Sequence, residues 1–165
     1  MRRLLITLAI TGCVLFTTAA RAQEFTIDLD VKTGKMSQTA HAQKFGLGIV
    51  PKPRSAVQVR TGERISVKWK LGHGAPNETV KDVTVHFFVV KEDTAGQRVV
   101  PPLDKGVVAE SALTMDFGPK DKAEGQLNFT IDLPGTYLLR LETMGAAKEE
   151  HPQEWFAALD VVAQK

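Results

Sequence analysis

The alternation of apolar and polar residues over short runs most constrains the fold of this chain. Apolar residues occupy every second position from residue 65 to residue 71, namely Ile65, Val67, Trp69 and Leu71. Successive side chains of a β-strand point to opposite faces, so the pattern predicts a strand with one buried face and one wet, basic face. Trp69 is the expected core anchor of this strand.

The same alternation recurs along the chain, with glycine- or proline-containing turns between the runs. No helical period longer than one turn is present. Seven or eight short strands separated by turns predict an all-β fold, a single antiparallel β-sandwich. Trp155 is expected to begin the last strand and to be a structural residue. The other alternating runs are residues 25–31, 83–90, 113–117, 127–133, 137–141 and 155–161.

The first residues have the pattern of a secretory signal peptide. Arg2 and Arg3 precede an apolar run over residues 4–16, and small residues lead up to a predicted cleavage site between Ala22 and Gln23. The run is shorter than the roughly 20 apolar residues that a transmembrane helix needs. We therefore expect a secreted or periplasmic protein with no transmembrane segment in its mature chain.

Lipidation through Cys13 is an alternative. Residues 10–13, ITGC, resemble a bacterial lipobox, which would make Cys13 the first residue of the mature protein. However, residues 14–16 continue the apolar run, whereas a lipoprotein turns polar directly after its cysteine. Ordinary cleavage is therefore preferred. Because Cys13 is the only cysteine, the mature chain is expected to have no disulfide.

Removal of the signal peptide changes the charge of the chain. Residues 1–22 contain three arginines and no acid, so the basic count falls from 21 to 18 against 19 acids, a net charge of −1. This balance gives no reason to expect a nucleic acid partner. The mature chain is long enough for one domain. We expect an N-terminal strand and a long basic loop over 23–55, joined in one domain with the sandwich of residues 56–165.

The long loop is the first candidate interaction surface. Residues 31–55 are rich in glycine and proline and contain five basic residues and no acid. A short strand is expected at residues 45–50. Lys44, Lys52 and Arg54 could contact an anionic polymer or an acidic partner, and the alternative is a solvated, mobile loop.

The strand at residues 83–90 offers a second candidate surface, because both of its faces are apolar. His86, Phe88 and Val90 would form a stripe on the face opposite the core. An exposed apolar stripe favours contact with another exported protein. The alternative is that the N-terminal strand or the long loop covers the stripe.

The histidines suggest a third kind of site. No two of the four lie within four positions of each other, so a metal site would have to be built in space. Thioether and imidazole ligands suit copper, and imidazole suits zinc. The alternative is a set of unrelated histidines. The candidate copper or zinc ligands are His41, His73, His151, Met36 and Met144.

Residues 133–142, LPGTYLLRLE, resemble the E–F corner of immunoglobulin-like and fibronectin-III-like modules of secreted bacterial proteins. Residues 61–63 and the strand after them are similar to the second strand of such modules, and the resemblance covers about residues 56–163. It implies an immunoglobulin-like sandwich in which the Tyr137 hydroxyl bonds to the upstream backbone. The chain departs from the pattern by lacking the cysteine pair.

The sequence contains no arrangement typical of catalysis. No cysteine survives signal-peptide cleavage, and no serine lies in a Gly-x-Ser-x-Gly elbow. We therefore expect a non-enzymatic binding or structural module that contacts another exported protein or a cell-envelope component. The alternative is a copper- or zinc-binding protein of the envelope, similar to a metal chaperone.

Overall fold

The computed structural model describes residues 25–44, 53–97, 99–144 and 155–165, which form two β-sheets and, within these ranges, no helix. The all-β prediction is therefore confirmed. The described residues also include no helix long and apolar enough to cross a membrane. The strands are β1 (Phe25–Thr33), β2 (Met36–His41), β3 (Gln43–Lys44), β4 (Ala56–Arg60), β5 (Arg64–His73), β6 (Val80–Glu92), β7 (Val107–Phe117), β8 (Lys122–Thr130), β9 (Gly135–Met144) and β10 (Trp155–Gln164).

The two sheets have different sizes. One has four antiparallel strands in the order β2-β1-β5-β8. The other has six strands, with β10, β9, β6 and β7 in antiparallel order. Both β3 and β4 pair with β10, β3 antiparallel near its start and β4 parallel near its end. The chain therefore crosses from one sheet to the other between β2 and β3.

The inward side chains of both sheets form one hydrophobic core. The alternation in β1 and β5 places residues such as Ile27 and Val67 in this core, where both are fully buried. The same alternation places Leu139 and Leu159 there from the six-stranded sheet. Burial of this apolar surface is the main favourable term in folding.

The prediction of a long loop over residues 31–55 is wrong in part, because Met36–His41 form β2 on the edge of the four-stranded sheet. Ala40 is the only buried residue of β2. An edge strand with one buried side chain gives no alternation signal, which explains why the sequence suggested a loop. The short strand expected at residues 45–50 lies outside the described residues.

Candidate functional site

The outer faces of the two sheets differ in whether the chain covers them. Residues 99–106 of the β6–β7 connection, which we name the strap, lie over the outer face of the six-stranded sheet. Val100 and Leu103 of the strap pack on a second apolar cluster that includes Phe88 and Phe156. A hydrogen bond from the Lys91 N–H to the Gly106 carbonyl, 3.0 Å long, fixes the end of the strap.

Two residues of the predicted assembly stripe, Phe88 and Val90, lie within this second cluster. Phe88 and Val90 are 1% and 0% exposed, so neither side chain is available to a partner, and their interpretation as an assembly face is wrong. Among the residues that the structure describes, Val100 and Leu103 of the strap pack against this cluster. The physical reason is that two adjacent apolar positions on an outer face are stable in water only when the chain buries them.

His86, the third residue of the stripe, lies between two carboxylates. Its Nε2 lies 2.9 Å from Glu110 Oε1, and its Nδ1 lies 3.2 Å from Glu142 Oε1. The other oxygen of Glu142 lies 2.6 Å from Arg140 Nε, and the Arg140 guanidinium stacks 4.1 Å from the centre of the Phe156 ring. His86 is therefore held in an intramolecular polar network at the side of the apolar cluster.

Arg54 also has intramolecular partners, so its assignment to an exposed basic surface is wrong. Its Nη2 donates to both carboxylate oxygens of Glu92, at 2.8 and 2.6 Å, and its Nε donates to Asp160 Oδ1 at 2.6 Å. The other Asp160 oxygen accepts the Gly96 N–H at 2.7 Å. The cluster joins the segment before β4, the β6–β7 connection and β10. The side chain of Lys44 and all of Lys52 lie outside the described part of the chain.

The Arg54 cluster holds two buried carboxylates against one guanidinium. Burial raises the pKa of Glu92 above its ordinary value of 4.5, and the nearby Asp160 carboxylate adds to this effect. The charge of Arg54 and its hydrogen bonds act in the opposite direction. Desolvation is the larger effect, because the Glu92 side chain is fully buried.

The structure separates three of the predicted metal ligands, His41, His73 and Met36. His41 and His73 lie on opposite faces of the four-stranded sheet: His41 is exposed on the outer face, while His73 is 3% exposed and faces the core. Met36 lies at the opposite end of the sheet, paired with Thr33. Across residues 25–44, 53–97, 99–144 and 155–165, no group of three or more His, Cys, Asp or Glu residues could hold a metal ion.

His73 and Met144 lie at one end of the sandwich. His73 pairs with Phe25, whose ring contacts Phe117 across the core, and Met144 ends β9 in the other sheet beside the start of β6. The His73 Nδ1 lies 3.0 Å from the Gly118 carbonyl, so this nitrogen is the donor. Its buried Nε2 makes no hydrogen bond within the described residues. His151 lies outside these residues.

The outer face of the four-stranded sheet carries no covering segment among the described residues. One row of side chains crosses all four strands in register: His41 is opposite Asp28, Asp28 is opposite Lys70, and Lys70 is opposite Glu124. Along this row, the two carboxylates therefore alternate with the imidazole of His41 and the ammonium group of Lys70. His41 Nδ1 lies 2.7 Å from Asp28 Oδ1, so the first two residues are in direct contact.

A second row lies beside the first. Thr39 is opposite Asp30, Asp30 is opposite Lys68, and Lys68 is opposite Gln126. Together the two rows line a hollow of about 670 Å³ that is open to solvent. Strands hold these side chains, so their spacing is fixed by the sheet ladder rather than by a loop. We name this surface the sheet groove.

Sequence reasoning did not identify the sheet groove. The polar positions of β1 and β5 were recognised as the wet faces of strands, but their assembly depends on which strands are neighbours. The usable signal was that Asp28 and Asp30 carry negative charge where Lys68 and Lys70 carry positive charge. Opposite charges on facing positions favour pairing of the two strands.

The three predicted structural residues are each held by packing or a hydrogen bond. Trp69 is 8% exposed and belongs to the main core. The Tyr137 hydroxyl donates to the Leu133 carbonyl at 2.9 Å, the upstream bond that the corner resemblance implies. Trp155 packs partly buried against the core, and its carbonyl accepts a hydrogen bond from Thr143.

Comparison with known proteins gives a fold-level likeness only. No family model matches the chain, and no curated protein matches it in sequence. The chain is similar to the crystal structure of the C-terminal domain of wzt, with a TM-score of 0.45 and 9% sequence identity. The match covers 83% of this chain and 71% of that chain. At this similarity the comparison gives no information about a ligand or partner.

Proposed function

We propose that the protein is a secreted or periplasmic, non-enzymatic binding module that contacts another exported protein or a cell-envelope component through the sheet groove. The observation that carries this proposal is the difference between the two outer faces. The strap covers one of them with apolar packing, and the other presents two registered rows of polar side chains to solvent. The signal-peptide pattern of residues 1–22 supports the proposal of export.

The chemistry of the groove favours a polar ligand surface. Lys68 and Lys70 are exposed cations, and Asp28 and Glu124 are exposed carboxylates on neighbouring strands. A partner surface with an alternating charge pattern can pair with these rows, and wrong partners would meet like charges. Specificity of the groove for a partner would therefore depend on the positions of its charged side chains rather than on buried apolar area.

Photo-crosslinking in intact cells tests the proposal. A photoreactive amino acid replaces Thr39, an exposed residue of the groove. Illumination should give a discrete product larger than the chain, containing the partner. In the background of Lys68→Glu/Lys70→Glu this product should be lost, because two attractive contacts become repulsive.

The matched control reverses two exposed lysines on other surfaces, in the variant Lys81→Glu/Lys105→Glu. This control has the same net charge change and should retain the crosslinked product. Equal loss in both variants would indicate a non-specific effect of charge. No product from Thr39, or a product that survives the groove reversal, would contradict the assignment of the groove.

A second candidate function is the binding of copper or zinc, favoured by the state of His73. Its Nδ1 is tied to a backbone carbonyl while its Nε2 has no hydrogen-bond partner among the described residues, and metal-ligating histidines show this arrangement. Titration with Cu(I) and Zn²⁺ tests it, with thermal unfolding as the readout. Stabilisation that disappears in His73→Ala supports binding, and an unchanged midpoint at saturating metal removes this candidate.

We also propose that the sandwich belongs to the immunoglobulin-like class. The hydrogen bond from Tyr137 to the Leu133 carbonyl supports this assignment, because it ties the start of β9 to the connection that precedes it. Nuclear Overhauser contacts between the backbones of neighbouring strands would test the strand order. A different order of β5, β8 and β9 would overturn the assignment.

A further inference from the structure

Two edge strands lie on the side of the sandwich away from β2 and β4. β7 ends the six-stranded sheet, and β8 ends the four-stranded sheet. Within the described residues, β7 pairs only with β6 and β8 pairs only with β5. A free edge presents a row of unpaired N–H and C=O groups, which is a template for another strand.

β7 carries two features that oppose pairing with another chain. Its ladder with β6 shifts register twice, between Val80 and Val83 and between Val89 and Val90. Glu110 and Asp116 also place negative charge near the two ends of the strand. Bulges and charged side chains are the means by which edge strands avoid association.

β8 has no register shift, and its two charged residues, Lys122 and Glu124, lie within its first three positions. Its nine residues pair with β5 without a register shift, from the Arg64–Thr130 pair to the Gly72–Lys122 pair. It contains no proline, and residues 125–130 contain no charge. The side chains of Leu127 and Phe129 face the core but are only partly buried at this open side. A strand added to β8 would therefore meet a backbone without a bulge and partly exposed apolar side chains to cover.

We propose that the β8 edge pairs with the β8 edge of a second copy of this chain, antiparallel, so that two four-stranded sheets join into one of eight strands. The charge pattern of β8 favours this occupant. With the twofold axis at Gln126, Glu124 faces Asn128 of the second copy, and Lys122 faces Thr130. No like charges meet, and the same surface serves both copies, as a twofold interface requires.

A shift of the axis to Leu127 keeps this compatibility. Gln126 then faces Asn128 of the second copy, and Glu124 faces Thr130. Both registers keep Leu127 and Phe129 on the core side, because the two strands are offset by an even number of residues. The new pairing would bring the two sheet grooves side by side on one continuous face.

The test is the association state of the purified protein, measured by sedimentation velocity over a range of concentrations. The wild-type protein should be a dimer. In Gln126→Glu/Asn128→Glu, the dissociation constant should rise at least about tenfold, because like charges face each other in both registers. Both side chains are exposed, and a glutamate at 128 still offers an acceptor to Arg64, which bonds Asn128 at 3.2 Å. The fold should therefore persist, as circular dichroism would verify.

The matched control is Ala112→Glu/Thr114→Glu, which adds the same charges at exposed positions of the β7 edge. It should leave the dimer intact. Mixing the β8 glutamate variant with Gln126→Lys/Asn128→Lys should restore a dimer that contains one chain of each. A wild-type protein that is monomeric at all concentrations overturns the proposal, as does a dimer that dissociates with the β7 variant and not with the β8 variant.

Discussion

The indole of Trp69 occupies the space that a side chain at Gly125 would need. The two residues are directly opposite each other on β5 and β8. A Cβ atom at Gly125 would lie 2.6 Å from both Cε2 and Cζ2 of the indole, closer than real side-chain contacts. The size of Trp69 on β5 therefore explains why a glycine occupies the facing position on β8.

The first prediction is that Gly125→Ala destabilises the fold by about 1–3 kcal/mol through overpacking. Urea denaturation measures the change. In a Trp69→Phe background the smaller ring should leave room, so the same substitution should cost less. Gln126→Ala, on the outer face of the same strand, is the control and should change stability by less than about 0.5 kcal/mol. Equal costs of Gly125→Ala in both backgrounds would contradict the contact.

A second prediction concerns the corner bond of Tyr137. Tyr137→Phe should lower the free energy of unfolding by about 1 kcal/mol, because the hydroxyl loses the Leu133 carbonyl. Burial also raises the pKa of Tyr137 above its ordinary value of 10. The folded state therefore favours the neutral phenol, and this contribution is lost as the pH rises through the raised pKa. The phenylalanine variant should lack that alkaline loss, and identical alkaline unfolding curves would refute the assignment.

The third prediction concerns the pH dependence that Glu92 contributes. Because burial raises the pKa of Glu92, its protonated form is favoured in the folded state. Its contribution to stability is present below pH 4.5 and is lost as the pH rises through the raised pKa. The stability of Glu92→Gln relative to wild type should therefore increase between about pH 4 and about pH 7. Thermal unfolding across this range checks the sign, and a relative decrease would show that the pairing with Arg54 dominates.

The sequence predicted the strands that have one buried and one exposed face. It could do so because alternation of apolar and polar residues indicates that every second residue is buried. It placed Ile65, Val67 and Trp69 in the core correctly. It missed β2, because a strand with one buried residue, Ala40, leaves no such record. The local sequence pattern therefore predicted the strands that line the core, but it did not predict the edge strand β2.

Long-range pairing explains the errors in the candidate sites. Arg54 lies in a basic stretch of sequence, but its carboxylate partners Glu92 and Asp160 are 38 and 106 residues away. The apolar outer face around Phe88 was recognised from the sequence. The strap that covers this face has no hydrophobic periodicity, so the sequence could not predict its position. A charge run thus indicates that a segment requires partners of opposite charge, and an apolar stripe indicates that it requires a covering segment. The topology of the fold determines which part of the chain fills each role.

The last prediction tests the buried cluster that joins three parts of the chain. Arg54→Ala would leave the carboxylates of Glu92 and Asp160 buried without their shared cation, which should cost about 3–5 kcal/mol. Arg54→Lys keeps the charge but not the fork that contacts both acids, so its cost should be intermediate. The exposed Arg60 is the matched control, and Arg60→Ala should change stability by less than about 0.5 kcal/mol. Hydrogen exchange should quicken at Gly96, whose N–H bonds Asp160, in both Arg54 variants and not in the control. Unchanged exchange at Gly96, together with near-neutral stability of Arg54→Ala, would mean that the cluster does not anchor the β6–β7 connection.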